Sequence, residues 1–338
     1  MIYFEVASQD ASIYKIQPTQ NTGLDEILEV SKTYIAGNLD IAHVLIKFDL
    51  TDISASITSG AITVSAATLN LKQTAGEFLP VEFSLYAYPV ASSWDMGIGT
   101  KFDEISTEGA TWENRTSAID WDITGSDFNP TPSGSEDYSY LSTDVEMDVL
   151  DIVNYWLSGS VNNGLVLKHL VGAENDSVDY GAIQFFSKET NTIYQPKLSI
   201  GWDDSTFVTG SLTELISDDI HITFKSLKTK YKLGNTNTIR LVGREKYPLK
   251  SYVNQYGYTD IQYLPLTTYY QIKDAVTHEI TIPFSDNTKV SCDATGNFFK
   301  LNFSNWEISR EYYIEIKVVK DGNTNIFSDD DLTFVVEK

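Results

Sequence analysis

The chain has 338 residues, 42% hydrophobic and 12% aromatic, with 24 Lys+Arg against 47 Asp+Glu for a net charge of −23. This composition can fill packed cores rather than remain disordered, and the length allows two domains. The absence of any apolar run of about 18 residues excludes a membrane-spanning helix, the lone Cys292 excludes an internal disulfide, and so acidic a field repels nucleic-acid phosphates.

Charge is divided unevenly. Residues 1–204 hold 9 Lys+Arg against 30 Asp+Glu, a net of −21, whereas residues 205–338 hold 15 against 17, a net of −2. The first six residues enter an alternating pattern with no basic region and no long apolar stretch. The expectation is a protein without a signal peptide, folded in a reducing cytoplasm, with neither a membrane nor a nucleic acid as partner.

Residues 2–16 alternate, and Pro18 with Asn21-Thr22-Gly23 marks a loop. His43–Leu50 reads as a strand with Val44, Ile46 and Phe48 on one face, followed by strands at Ala66–Lys72 and Phe83–Pro89. Ala91–Tyr138 is long, irregular and rich in Gly, Ser and Asp, and a strand resumes at Tyr140–Met147. Asp148 is a plausible N-cap for a short helix. Val149, Ile152, Val153, Trp156 and Leu157 share one face of that helix, and Gly159 stands where a left-handed stop is wanted. Asn162-Asn163-Gly164 turns the chain into a buried strand from Leu165, and Ala182–Lys188 and Lys197–Trp202 close the first domain. The polar junction Asp203–Thr206 divides the chain into domains 1–204 and 205–338.

In the second domain, alternating runs at Ile220–Tyr231 and Thr238–Arg244 are joined by Gly234-Asn235. Further runs follow at Glu279–Phe284, Phe298–Phe303, Tyr312–Val319 and Leu332–Val336, with an aromatic-rich insertion at Glu245–Gln271. Short, evenly spaced strands of this kind predict an immunoglobulin-like β-sandwich.

Taken in order, several segments of residues 8–202 resemble the DNRLRE-type domain, a jelly-roll module of tailed-phage virion proteins and bacterial surface proteins. They are Asn21-Thr22-Gly23, Lys47–Leu50, Ala67–Leu71, Gly109–Arg115, Asp148–Gly159, Asn163-Gly164-Leu165, Phe186–Glu189 and Pro196-Lys197-Leu198. Leu150 departs from the Thr common in the family's helix. The resemblance implies an all-β chain with an N-terminal jelly-roll sandwich plugged by one short helix. Some relatives bind polysaccharide, and the family brings no catalytic residues.

No residue pattern marks chemistry. His43, His169, His221 and His278 are scattered, and His278-Glu279 lacks the second histidine of a zinc helix. Gly97–Lys101 lacks phosphate-loop spacing, and no Gly-x-Ser-x-Gly elbow occurs. Cys292 reads as a structural thiol, Asp203-Asp204 and Asp329–Asp331 as solvated acidic turns, and no carboxylate pair stands out for glycoside hydrolysis. The expectation is no catalytic residue, no metal and no cofactor.

Two sets of residues remain as candidates. Trp94, Trp112 and Trp121 either form an exposed platform for host glycans or pack the long loop onto the sandwich. The second set lies in the C-terminal domain. Lys225, Lys228, Lys230, Lys232, Arg240, Arg244, Lys246 and Lys250 oppose only Glu245 between residues 225 and 250. Tyr247, Tyr252, Tyr256, Tyr258, Tyr263, Tyr269 and Tyr270 overlap and follow that stretch. Such a mixture suits a surface for an acidic protein partner, or else a solvated hairpin beside a tyrosine-packed loop. The function expected is a non-enzymatic structural component of a tailed-phage virion, at the neck, tail or capsid surface. It would assemble in the host cytoplasm in multiple copies with other virion proteins, docking through the C-terminal domain. The alternatives are a carbohydrate-binding surface or fibre protein, and a glycan-cleaving enzyme.

Overall fold

The computed structural model describes residues 1–35, 37–58, 62–77, 81–139, 144–217, 219–247 and 261–338. The described chain is all-β and gathers into two compact units, Glu5–Ile200 and Met1–Phe4 with Gly201–Lys338. The division falls after Ile200 rather than after Asp204, and the first four residues belong with the C-terminal part.

The first unit is built from strands β1 (Ile2–Tyr14, its first three residues belonging to the other unit), β2 (Ile27–Ile35), β3 (Asn38–Phe48), β4 (Ala66–Glu77) and β5 (Phe83–Pro89). It continues with β6 (Asn114–Thr116), β7 (Ile119–Asp120), β8 (Gly134–Tyr138), β9 (Asp144–Asp148), β10 (Leu165–His169), β11 (Gly181–Phe186) and β12 (Lys197–Gly201). Helices α1 (Thr51–Thr58), α2 (Leu150–Leu157) and α3 (Val171–Glu174) accompany them. Ten of these strands hydrogen-bond in the order β1-β12-β4-β11-β2-β3-β10-β5-β8, with β9 on β4 and an added β1–β3 pairing.

Strand β3 explains much of this unit. Residues Asn38–Ala42 pair with β2, whereas Val44–Ile46 pair with β10, so one strand serves two neighbours on the same edge. Val44, Ile46 and Phe48 are fully buried along with Ala42, yet on the other face so is Leu45, with Ile41 and His43 almost as deep. Both faces are covered, so simple in–out alternation fails. On the Leu45 face, cross-strand register sets Ala11, Leu45, Val166 and Tyr88 side by side across four strands. The segment between β5 and β8 lies over that row and buries it with Trp94, Trp112 and Trp121.

Asn21 fastens that covering segment. Its amide nitrogen donates to the Met96 and Ala110 carbonyls, each at 2.8 Å, and its oxygen accepts from the Gly99 N–H at 2.8 Å and the Gly23 N–H at 3.2 Å. Its own N–H donates to the Ser106 carbonyl. Two glycines make this approach feasible. A Cβ on Gly97 (φ +80°) would stand 1.9 Å from the Glu108 oxygen, and one on Gly109 (φ +103°) 2.4 Å from the Gly97 Cα.

Helix α2 begins at Leu150, one turn position later than an Asp148 cap would set it. Val149 is the N-cap residue, while the Asp148 carboxylate accepts from the Leu150 N–H at 2.9 Å. Ile152, Val153 and Trp156 are its buried residues, and Gly159 has φ +111°. Helix α1 and strand β2 were not expected, and the irregular region contains β6, β7 and β8. The strand expected at Tyr140–Met147 is seen as β9, its residues 140–143 lying outside the described ones.

The second unit contains β13 (Thr213–Glu214), β14 (Ile220–Phe224), β15 (Lys230–Lys232), β16 (Thr236–Glu245), β17 (Gln262–Tyr263) and β18 (Thr268–Asp274). After them come β19 (Ile280–Ile282), β20 (Ser291–Asp293), β21 (Gly296–Asn302), β22 (Glu311–Lys320) and β23 (Asn323–Glu337). One sheet runs β13-β17-β16-β21-β20 with β14 on β16, and the other β15-β23-β22-β18-β19. Their inner faces share one core, in which Ile239, Leu241 and Leu301 meet Ile272, Ile314 and Val336. Tyr270 stacks on Phe299 with ring centroids 4.3 Å apart, and Ile2 and Phe4 complete the same core. The single run expected at Ile220–Tyr231 is therefore two strands in different sheets, and β18 emerges from the expected aromatic insertion.

Candidate functional site

The three tryptophans are only 3%, 9% and 4% exposed for Trp94, Trp112 and Trp121. The Trp94 indole donates to the Asn163 carbonyl at 2.8 Å, the Trp121 indole donates to the Thr111 carbonyl at 2.9 Å, and Trp112 lies against His43 with centroids 4.8 Å apart. They pack the covering segment onto the sheet. A stacking platform needs an open ring face, which none of the three presents.

The basic run of the second unit is separated by the fold. Lys230 and Lys232 flank Tyr231 on β15, an edge strand that pairs in parallel with β23, whereas Arg240 and Arg244 lie on β16 in the other sheet. Some of this charge is met within the unit. Arg240 forms a two-pronged pair with Asp293 at 2.6 and 3.1 Å, which raises the guanidinium and holds the carboxyl well below its usual range. Lys230 pairs with Glu337, and Lys246 stands 3.9 Å from Asp219. Lys225, Lys228 and Lys232 are exposed, and Tyr247 is 76% exposed. Tyr263 is half-buried edge-on to Phe207. Lys250, Tyr252, Tyr256 and Tyr258 lie outside the described residues.

Two of the scattered histidines prove to be neighbours in a buried ionic cluster around α3. The Glu174 carboxylate lies 2.7 Å from His43 Nε2 and accepts from the Lys168 ammonium at 3.0 Å, while His43 Nδ1 lies 2.7 Å from the Gly125 carbonyl oxygen; burial pushes the His43 imidazole down. Burial pushes the Glu174 carboxyl up, but the bond from His43 and the charges of His43 and Lys168 outweigh it and hold it low. His169, packed between Phe83 and Tyr180, is pushed down to about 4 by burial. Lys32, with no exposed side-chain area, donates to the Ala173 and Asp176 carbonyls and the Asp176 carboxylate. These contacts tie the segment after β10 to the sheet. Among the described residues, no group of three His, Cys, Asp or Glu could hold a metal ion.

The described cavity of interest is a cleft of about 550 Å³ in the first unit, where β1 and β3 meet the start of α1 and the end of α2. Ser8, Gln9, Lys47, Asp49, Thr51 and Trp156 contribute to its lining. A register shift between Ala7 and Gln9 bulges β1 at Ser8, beside the cleft. Ser8 donates its hydroxyl proton to the Lys47 carbonyl at 3.0 Å. The Thr51 hydroxyl and N–H both donate to one Asp49 oxygen, at 2.5 and 3.0 Å, and hold that carboxyl below its usual range. The Asn162 amide donates to the Phe48 carbonyl and accepts from the Gly164 N–H. Two buried atoms of the lining residues have no partner: the Trp156 indole nitrogen and the Gln9 side-chain oxygen.

No protein-family model matches the chain, and no curated protein matches it. Among solved structures it is similar to a DUF4785 family protein from Legionella pneumophila subsp. pneumophila str. Philadelphia 1, at 9% identity and a TM-score of 0.21. The match covers 99% of this chain and 62% of that one, so the chain spans under two thirds of the other protein's length. A likeness at that score carries no argument about function.

Proposed function

We propose that the chain is a non-enzymatic structural component of a tailed-phage virion, at its neck, tail or capsid surface, docked through the second unit. The observation that carries the reading is the charge division between the two units. Glu5–Ile200 holds 9 Lys+Arg against 28 Asp+Glu, a net of −19, and the rest of the chain a net of −4. Within that second unit, Lys228 and Lys232 are exposed just before and on the edge strand β15, and Lys225 is exposed at the end of β14. An acidic partner is attracted to this edge and repelled by the first unit, and like charge keeps the first units of neighbouring copies apart.

The test uses the full chain in purified particles, identified by mass spectrometry and located by lysine cross-linking. Cross-links from Lys228 or Lys232 to a neighbouring virion protein are expected. Charge reversal at Lys228, Lys230 and Lys232 to Glu should reduce incorporation while the isolated protein keeps its melting temperature. Unchanged incorporation, or cross-links confined to residues 5–200, would overturn the polarity of docking.

A further inference from the structure

We propose that the outer edge of β23 over Asn323–Ser328 is a docking site for an extended segment of a partner protein, which adds to the sheet as a further strand. That segment is apolar at alternate positions and carries Lys or Arg at its ends. The site lies wholly within the second unit and goes beyond the docking reading, which rests on the lysines around β15.

The two sides of the β23 backbone differ. On one side it pairs with β22, from Asn323 opposite Lys320 to Ser328 opposite Glu315, and again from Thr333 opposite Tyr313. On the other side β15 covers only Val335–Glu337. No strand among the described residues pairs with Asn323–Ser328 on that side. Successive residues of an antiparallel strand turn their N–H and C=O groups to alternate sides, so every second residue here offers both groups outward. The strand is already seated, because Phe327 packs against the core of the unit while Ile326 is 56% exposed. An added strand therefore meets a fixed template and has only its own ordering to offset.

Folded chains usually blunt such an edge with charge, proline or a bulge. Asn323–Ser328 holds no charged residue and no proline, and the break in register comes only after it, where Asp329–Leu332 oppose Ile314 alone. Charge stands at the two ends instead, with Asp321 exposed at one and Asp329 and Asp331 at the other. The charged groups of β22 behind the edge are engaged. Lys317 lies over the Tyr269 and Phe284 rings, Lys320 donates to the Ile216 carbonyl, and Glu315 pairs with Lys273. Because both ends are acidic, an added strand wants a basic residue at each end whichever way it runs. A second copy of the chain matches the backbone but not the charge. Antiparallel pairing of two such edges centred on Asn325 sets Asp321 opposite Asp329, and centred on Ile326 sets it opposite Asp331. Like charges directly opposite one another are destabilising. Ile326 gives the alternate apolar positions of a partner strand something to pack beside.

The test is a titration of the full chain with dye-labelled octapeptides, read by fluorescence anisotropy and by amide hydrogen exchange over residues 315–332. The first probe is Lys-Val-Thr-Val-Asn-Val-Thr-Lys. The second has Glu at both ends, and the third has proline in place of the central valine, which removes a donor from the added ladder. The lysine peptide should slow exchange within residues 323–328. At low salt it should bind about fivefold to tenfold more tightly than the glutamate peptide, the ratio for a few exposed ion pairs formed rather than opposed. The proline peptide should bind at least about tenfold more weakly than the first. Asp329→Lys combined with Asp331→Lys changes only exposed side chains, so it should keep the thermal transition and reverse the preference between the two charged peptides. Exchange that no peptide slows, equal binding of the proline peptide, or an unaltered preference in the double variant overturns the proposal. Protection of the same amides that rises with chain concentration in the absence of peptide assigns the edge to a second copy, and overturns it too.

Discussion

Asp10 is the residue whose replacement tests the reading of the first unit most sharply. It is 1% exposed on β1, where one carboxylate oxygen accepts the Lys188 N–H at 2.6 Å and the other has no partner. Burial raises its pKa from 3.8 to about 7, against the opposing Lys188 N–H bond and ammonium charge. Between those two values the folded chain holds a proton that the unfolded chain has released. Stability therefore falls as pH rises through this window, by about 1.4 kcal/mol per unit and about 4 kcal/mol in all. His169 acts in the opposite sense. Its folded pKa of about 4 lies below the ordinary 6.5, so its contribution is complete above 6.5 and is lost as pH falls towards 4, about 3 kcal/mol in all. The two slopes largely offset each other between about pH 4 and pH 6.5. Asp10→Asn removes one of them. Near pH 8 the variant should be more stable by about 1–3 kcal/mol, once an unpaired amide N–H is subtracted from the relieved ionisation. Between about pH 6.5 and pH 4 it should lose stability faster than the parent. Urea unfolding followed by tryptophan fluorescence at several pH values measures both effects. A variant no more stable near pH 8, with a pH profile parallel to the parent's, would refute the assignment of a protonated buried carboxyl.

Asn21→Asp keeps the size of the side chain but turns its two donors into acceptors facing the Met96 and Ala110 carbonyls. A loss of about 3 kcal/mol or more is expected in urea melts, with earlier proteolysis between residues 91 and 133 than in the parent. Trp156→Ala should cost about 3–5 kcal/mol, the usual loss for truncating a buried tryptophan, and a loss below about 1 kcal/mol would show that α2 is held by something other than its buried face.

The sequence revealed elements whose pattern is local. Strand β3 was visible because Val44, Ile46 and Phe48 alternate, and α2 because Ile152, Val153 and Trp156 repeat with helical spacing. The second buried face of β3 was not visible, since its cover is brought by Asn21 gripping carbonyls 75 and 89 residues away. Strand β2 escaped notice because charged residues interrupt its apolar positions. Glu29 and Lys32 are buried there, paired with Lys101 and Asp176. Helix α1 is half Thr and Ser, with Ile53 its buried residue among the described side chains, and so carried little periodic signal. Strand β18 was hidden in a run of tyrosines in which alternation could not be told from a packed loop. Trp156 was legible as a core anchor.

The placement of Ile2 and Phe4 has a consequence for the timing of synthesis. Phe4 meets Trp306 edge-on, with centroids 6.0 Å apart, and its carbonyl accepts the Asn305 amide across 301 positions of sequence. At about 5–20 residues per second a ribosome needs roughly 15–60 s between making the first partner and the second. During that interval Glu5–Ile200 can close on itself, while Ile2 and Phe4 wait without the core that covers them. That core thus depends on residues made some 300 positions before its last ones, so slow elongation or an early stop after residue 200 would leave a closed first unit with Ile2 and Phe4 uncovered.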